Sequence, residues 1–305
     1  MGAARPILYR RDVAVEVRIR PAGAYLLRLS AGFGDATKRV ADGVATATLG
    51  GEEWARAWQG PDGTVTIRAT SDEAVERMRF VLALDDDHTE FLLRFAGDPL
   101  LGPSLHALRG MRPARTATVA HALLRAVSGQ LIEAKLARAI ERRVIRERMP
   151  LVAAGLHAPP LAADLASFSP AGLRRLGLAT QRGSTLVRIC HDLDVERLRG
   201  VPLVAARARL QRERGLGPWS VGVVSMEGLG SFEHGIVGDL GLMKLCAALW
   251  GRWPEPHETA ELLAPYGEWA GLACAYLLAG WGRGLVPGAS TAAARQTRVR
   301  TRYAA

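Results

Sequence analysis

A chain of 305 residues, 49% of them hydrophobic, carries ample apolar side chain for a core, in one large domain or two to three smaller ones, which excludes a disordered or low-complexity protein. Its net charge of +10 points to a polyanionic partner, although a merely basic soluble surface gives the same sum. The first twelve residues hold no apolar stretch of signal-peptide length, no uninterrupted span approaches membrane length, and Cys190, Cys246 and Cys274 lie too far apart for an iron–sulfur site, so the expectation is a soluble, non-exported protein with reduced core thiols.

Over residues 13–97 the apolar period is mostly two. Strands are expected over 13–19, 25–29, 44–49 and 64–68, separated by turns at Pro21-Ala22-Gly23, Gly50-Gly51 and Gly60-Pro61-Asp62-Gly63. Ser71 then caps a helix that carries Ala74, Met78, Val81 and Leu82 on one face, and residues 90–93 continue helically. These elements make an antiparallel α+β domain of residues 1–112. From residue 116 the period becomes helical and stays so. A long helix over 119–149, interrupted near Ser128-Gly129, carries Leu123, Val127, Leu131, Leu136 and Ile140; Pro159-Pro160 breaks the chain after it. Shorter helices follow Ser169-Pro170 and cover 184–193, and Pro202 opens another that ends in Arg212-Glu213-Arg214. Next come Gly215-Leu216-Gly217, Pro218 at a first helical position, a helix to residue 229, and a loop through Gly230 and Gly235 to Asp239. Apolar helices over 240–250 and 269–280 complete an all-α body of residues 113–290, and a basic tail, 291–305, is expected to be loosely ordered.

Two glycines between helices allow left-handed backbone and close approach. With proline giving up an N–H that the helix cannot use, the remaining amides form a cluster suited to one phosphate of a nucleic-acid strand. Asp239, twenty residues beyond Trp219, reads on its own as an ordinary N-cap. His106, His121 and His191 are scattered, so no side-chain metal site is expected.

The Gly215-Leu216-Gly217-Pro218-Trp219 run with Asp239 at that spacing resembles the helix-hairpin-helix DNA glycosylases, and among them the 3-methyladenine-DNA glycosylase II type, which also places an antiparallel α+β domain before a helical body. Gly129-Gln130-Leu131 is similar to that family's wedge segment. The resemblance implies a monomeric, monofunctional enzyme of base excision repair in the cytoplasm, acting at the nucleoid on double-stranded DNA without membrane contact. It flips a damaged, alkylated purine and hydrolyses its N-glycosidic bond to leave an abasic site. Asp239 is then the catalytic carboxylate, facing the positive charge that grows on the sugar. Gly215, Leu216, Gly217, Ser220, Gln130 and Leu131 bind DNA, and hairpin carbonyls hold a monovalent cation, with no other cofactor. Trp219 and Tyr276 wall the base pocket beside Val223 and Leu278, which stand where the family commonly has tyrosine and tryptophan. Arg174, Arg175, Arg182 and Arg188 are candidate phosphate contacts. Bifunctional relatives need a lysine near the hairpin, and none occurs between Gly200 and Asp239. The alternative is a structure-specific DNA-binding protein of the same fold, non-catalytic or of altered specificity.

Overall fold

The computed structural model describes residues 14–32, 34–130 and 132–290. Five antiparallel strands, β1 Val15–Ile19, β2 Lys38–Ala41, β3 Val44–Gly50, β4 Glu53–Gln59 and β5 Val65–Ala69, form one sheet in the order β1-β5-β4-β3-β2. The register sets Ala45 opposite Ala57, Ala47 opposite Ala55 and Ala57 opposite Ile67, so one face is a lattice of small, fully buried side chains. Between residues 25 and 29, where a strand is expected, the chain instead makes a single helical turn, α1 Leu27–Ser30. Tertiary bonds take the backbone there: Gln59 Oε1 accepts from Leu27 N at 2.9 Å, and Gly110 O accepts from Leu26 N at 2.8 Å.

The central strand β4 escapes a reading by period because alanines make its buried face, and alanine has little preference for a strand. Its other face is a ladder of Trp54, Arg56 and Trp58, with the Arg56 guanidinium 5.2 Å above the Trp54 ring. The helix α2 Asp72–Val81 covers the alanine face with Val75, Met78 and Val81. Its N-cap Ser71 accepts from Ala74 N, as the sequence implies.

Two short helices follow, α3 Thr89–Arg94 and α4 Gly102–Ala107. They share a core with the two last long helices, through Phe91, Leu101 and Leu105, so the division between cores does not fall at Arg112. Next come α5 Val119–Gly129 and α6 Ala134–Arg148, separated where Ser128-Gly129 lies. That break resets the helical phase and leaves Leu136, expected on the buried face, 51% exposed. A hairpin of β6 Leu151–Ala153 and β7 Leu156–His157, closed by Ala154 and Gly155 with positive φ, interrupts the helical run. It ties the two halves, since Thr48 Oγ1 donates to His157 O and His157 N to Ala36 O. The remaining helices are α7 Ala162–Ala166, α8 Pro170–Arg175, α9 Thr180–Asp192, α10 Leu203–Gln211, α11 Pro218–Val223, α12 Leu240–Trp250, α13 Thr259–Leu263 and α14 Ala270–Trp281. A π-helical turn, Val224–Gly228, continues α11. Among the described residues no helix is long and apolar enough to cross a membrane.

The middle of the bundle is α5, nearly all of whose side chains are buried. Thr118 caps it, and Glu196 accepts from Val119 N and Ala120 N. On its outer turn Arg125 donates to Glu141 of α6, to Asp35 before the sheet and to Glu227 of the π turn. One guanidinium thereby joins three elements. Burial alone would raise the Asp35 and Glu141 carboxyls, but the charges of Arg125 and His121 outweigh it and hold both below the usual range. Replacing Arg125 by Met strands three carboxylates, and denaturant titration is expected to show a loss of about 3–5 kcal/mol. Because the folded-state carboxyls are depressed, their contribution is complete above the unfolded value and vanishes as pH falls through the folded one. Stability should therefore decline below roughly pH 4. The Arg125→Met protein should show a flatter decline; an equal slope in both proteins counts against the network.

Candidate active site

Between α10 and α11 the chain turns through Arg212 and Gly217, and the turn is braced from below. Arg188 on α9 and Arg209 on α10 both donate to the buried Glu213 carboxylate, and Arg188 also donates to Arg214 O at 2.6 Å. Burial would raise the Glu213 carboxyl; the hydrogen bonds from the two arginines prevail and lower it. Arg188, a candidate phosphate contact by sequence, is thus committed to the turn. Arg174 and Arg175 are exposed at the end of α8, and Arg182 is half-buried on α9. Gly215 has φ +93°, and a Cβ there would stand 2.7 Å from Thr185 Oγ1, so glycine is required twice over. Gly217 caps α11 with extended backbone and faces open space. Among the described residues the N–H groups of Gly215 and Gly217 have no acceptor in the chain. The outward amide row expected of all three residues is shorter by one: Leu216 N–H donates to Glu213 O, and its side chain fills the bundle core.

Gln130, expected on DNA, reaches the hairpin. Its Nε2 donates to Gly215 O and to Ser220 Oγ, both at 2.9 Å. Ser220, also expected on DNA, is buried beneath that bond. Both residues shape the hairpin, because the end of α5 packs on the start of α11. Gly129 is the seat of the neighbouring indole: a Cβ there would lie 2.6 Å from Trp219 Cη2. Leu131 lies outside the described residues.

The half-buried Asp239 opens α12. Its Oδ1 accepts from Gly241 N at 2.7 Å and Leu242 N at 3.2 Å, the geometry of an N-cap. Its Oδ2 does something a cap does not require and accepts from Trp219 Nε1 at 3.0 Å. Of the expected pocket residues, Trp219 and Leu278 stand by this carboxylate, since a Cβ on Gly241 would meet Leu278 Cδ2 at 3.0 Å. The other two are buried. Tyr276 is fully buried, packs on Phe91 and donates its hydroxyl to Met111 O at 2.6 Å; Val223 is in the bundle core. Spacing along a helix predicts a shared face but not which partner covers it. Trp269 also packs on Phe91. Lys244 is half-buried in the second turn of α12. The thiols of Cys190, Cys246 and Cys274 are buried, which pushes each up to about 12 and leaves them unreactive.

One group among the described residues has the spacing of metal ligands, Asp35, His121 and Glu141, with donor atoms within 4.8 Å of one another. Arg125 Nη2 sits 2.7 Å from both carboxylates, so its guanidinium is the cation of that cluster. Of the Gly215-Leu216-Gly217 carbonyls, where a monovalent cation is expected, Gly215 O accepts from Gln130 Nε2 and Gly217 O from Val221 N.

No family model matches the chain. It is 24% identical over 216 residues, 68% of this chain and 71% of the relative, to a DNA-3-methyladenine glycosylase of Bacillus subtilis. A solved 3-methyladenine DNA-glycosylase of Archaeoglobus fulgidus superposes with a TM-score of 0.76 at 19% identity, over 87% of this chain and 97% of the other. An 8-oxoguanine glycosylase/lyase of Clostridium acetobutylicum, solved with double-stranded DNA, gives 0.72 at 16% identity over 90% and 100%. The resemblance to the DNA glycosylases therefore stands, and the fold is shared with them along most of the chain.

Gly129→Ala forces a methyl into the indole and is expected to cost about 1–3 kcal/mol in denaturant unfolding. The Trp219 indole N–H resonance should shift in this variant and in Asp239→Asn. An unmoved resonance in Asp239→Asn would show that the Trp219–Asp239 bond does not exist in solution.

Proposed function

We propose that this protein is a monofunctional DNA glycosylase that removes a damaged base, in the first instance an alkylated purine, from double-stranded DNA. The observation that carries the reading is the Asp239 carboxylate held by the Trp219 indole in the first turn of the hairpin's second helix. One carboxylate and one strand-gripping turn are thereby a fixed unit. The amides of Gly215 and Gly217, at the start of α11, hold a phosphate of the damaged strand.

An ionised carboxylate offers about four lone-pair sites. Oδ1 spends two on the backbone of α12 and Oδ2 spends one on the indole, which leaves an acceptor position on Oδ2 for the reaction. As the bond between the sugar C1′ and the base nitrogen breaks, its electron pair leaves with the base and the sugar becomes an oxocarbenium-like cation. Asp239 stabilises that cation by charge and orients a water whose oxygen bonds to C1′; the water's proton passes to Asp239 or solvent. An alkylated purine is already cationic, so it departs neutral without a strong general acid. This suits a site where one carboxylate stands alone. Cleavage of the strand through a Schiff base needs an amine beside the sugar, and the chain has no lysine between Gly200 and Asp239.

The test is release of free base from a methylated duplex in single turnover. Asp239→Asn should lose about 10²–10³-fold in rate while binding the duplex as tightly as before. The strand should stay intact until heated or treated with alkali. Equal rates in the two proteins would sink the assignment, and strand nicking that disappears with Lys244→Ala would make the enzyme bifunctional.

A further inference from the structure

A second cleft, of about 230 Å³, opens on a different side of α11 from Asp239. Pro218, Val221, Gly222 and Ser225 line it, the i, i+3, i+4, i+7 stripe of that helix and its continuation, and neither Trp219 nor Asp239 takes part. Its walls are apolar, with Val221 and Leu263 buried. Within it lies the Ser225 side chain, only 4% exposed, whose hydroxyl finds no hydrogen-bond partner in the chain. A buried hydroxyl in that state is answered in native proteins by water or ligand. On the outer side stand Arg207 and His234. Arg207 makes no hydrogen bond or ion pair among the described residues, and burial together with the Arg207 charge lowers the His234 imidazole against the opposing charge of Glu233. The one acidic lining residue, Glu233, is exposed. The half-buried Arg207 and the exposed His234 thus border an apolar slot whose lining includes a buried, unpartnered hydroxyl.

We propose that this cleft binds a nucleoside monophosphate, with the phosphate between Arg207 and His234, the base against Val221 and Leu263, and the Ser225 hydroxyl bonded to a polar atom of the base. Arg and His supply charge-assisted bonds to phosphate. The slot accommodates a single nucleobase. Pro218 and Gln211 border both the cleft and the hairpin, so an unpaired nucleotide of a strand gripped there is one source of this chemistry; free nucleotide is the other. The first source rests on the proposed function and the second does not.

Calorimetric titration of the full chain with dAMP, with deoxyadenosine and with inorganic phosphate tests the site without reading base release, so its result is separable from the role of Asp239. Saturable binding of one dAMP per chain is expected, weaker by about tenfold for deoxyadenosine and in Arg207→Ala, and weaker severalfold in Ser225→Ala, a change too small to disturb the fold. Asp239→Asn should bind dAMP as the wild type does. Displacement of dAMP by a duplex with one unpaired nucleotide, but not by a fully paired duplex, assigns the site to the DNA strand; displacement by neither assigns it to free nucleotide. Absence of saturable dAMP binding, equal binding by wild type and both cleft variants, or loss of binding in Asp239→Asn overturns the proposal.

Discussion

Both oxygens of Asp239 are held by the chain, one by backbone amides of α12 and the other by the Trp219 indole, and the rest of the site follows from keeping them there. A carboxylate that must stabilise a transient cation is most effective when it does not reorganise as the charge appears. Two fixed donors on Oδ1 set its plane, and the indole sets its remaining freedom. The indole is in turn positioned by a missing side chain at Gly129, which places a requirement for glycine at the end of a helix on another element.

Gln130 extends the same coupling to the strand-gripping turn. Its amide bridges Gly215 O and Ser220 Oγ, so the end of α5 touches both the indole and the hairpin. Below, α5 is locked by Arg125 to α6, to the π turn and to the segment that enters the sheet. The buried ion network probes whether the sheet and the bundle are set rigidly against each other, since a guanidinium shared by three carboxylates tolerates little sliding.

The sequence carried some of this openly. Glycine, proline and tryptophan at the hairpin and a lone aspartate opening α12 are local signals, because caps and turns depend on neighbours in the chain. Ser71 and the interruption near Gly129 were legible for the same reason. What stayed hidden depends on distant partners. Alanine-faced β4 is a strand only because the sheet closes over it, and the helical turn at 27–30 forms because Gly110 and Gln59 claim the backbone N–H groups of Leu26 and Leu27. Tyr276 shares the apolar last helix with Leu278, yet one points into a core against Phe91 and the other toward Gly241. Glu213 read as the charged end of a helix and is instead the buried anchor of two arginines.

The central claim is that Asp239 answers positive charge at the sugar. Its most direct measurement is the affinity of the protein for a duplex carrying a cationic abasic-sugar analogue, set against one carrying a neutral analogue of the same shape. Wild-type protein should prefer the cation, and Asp239→Asn should bind the two alike. A preference for the cation that survives unchanged in Asp239→Asn would contradict the account.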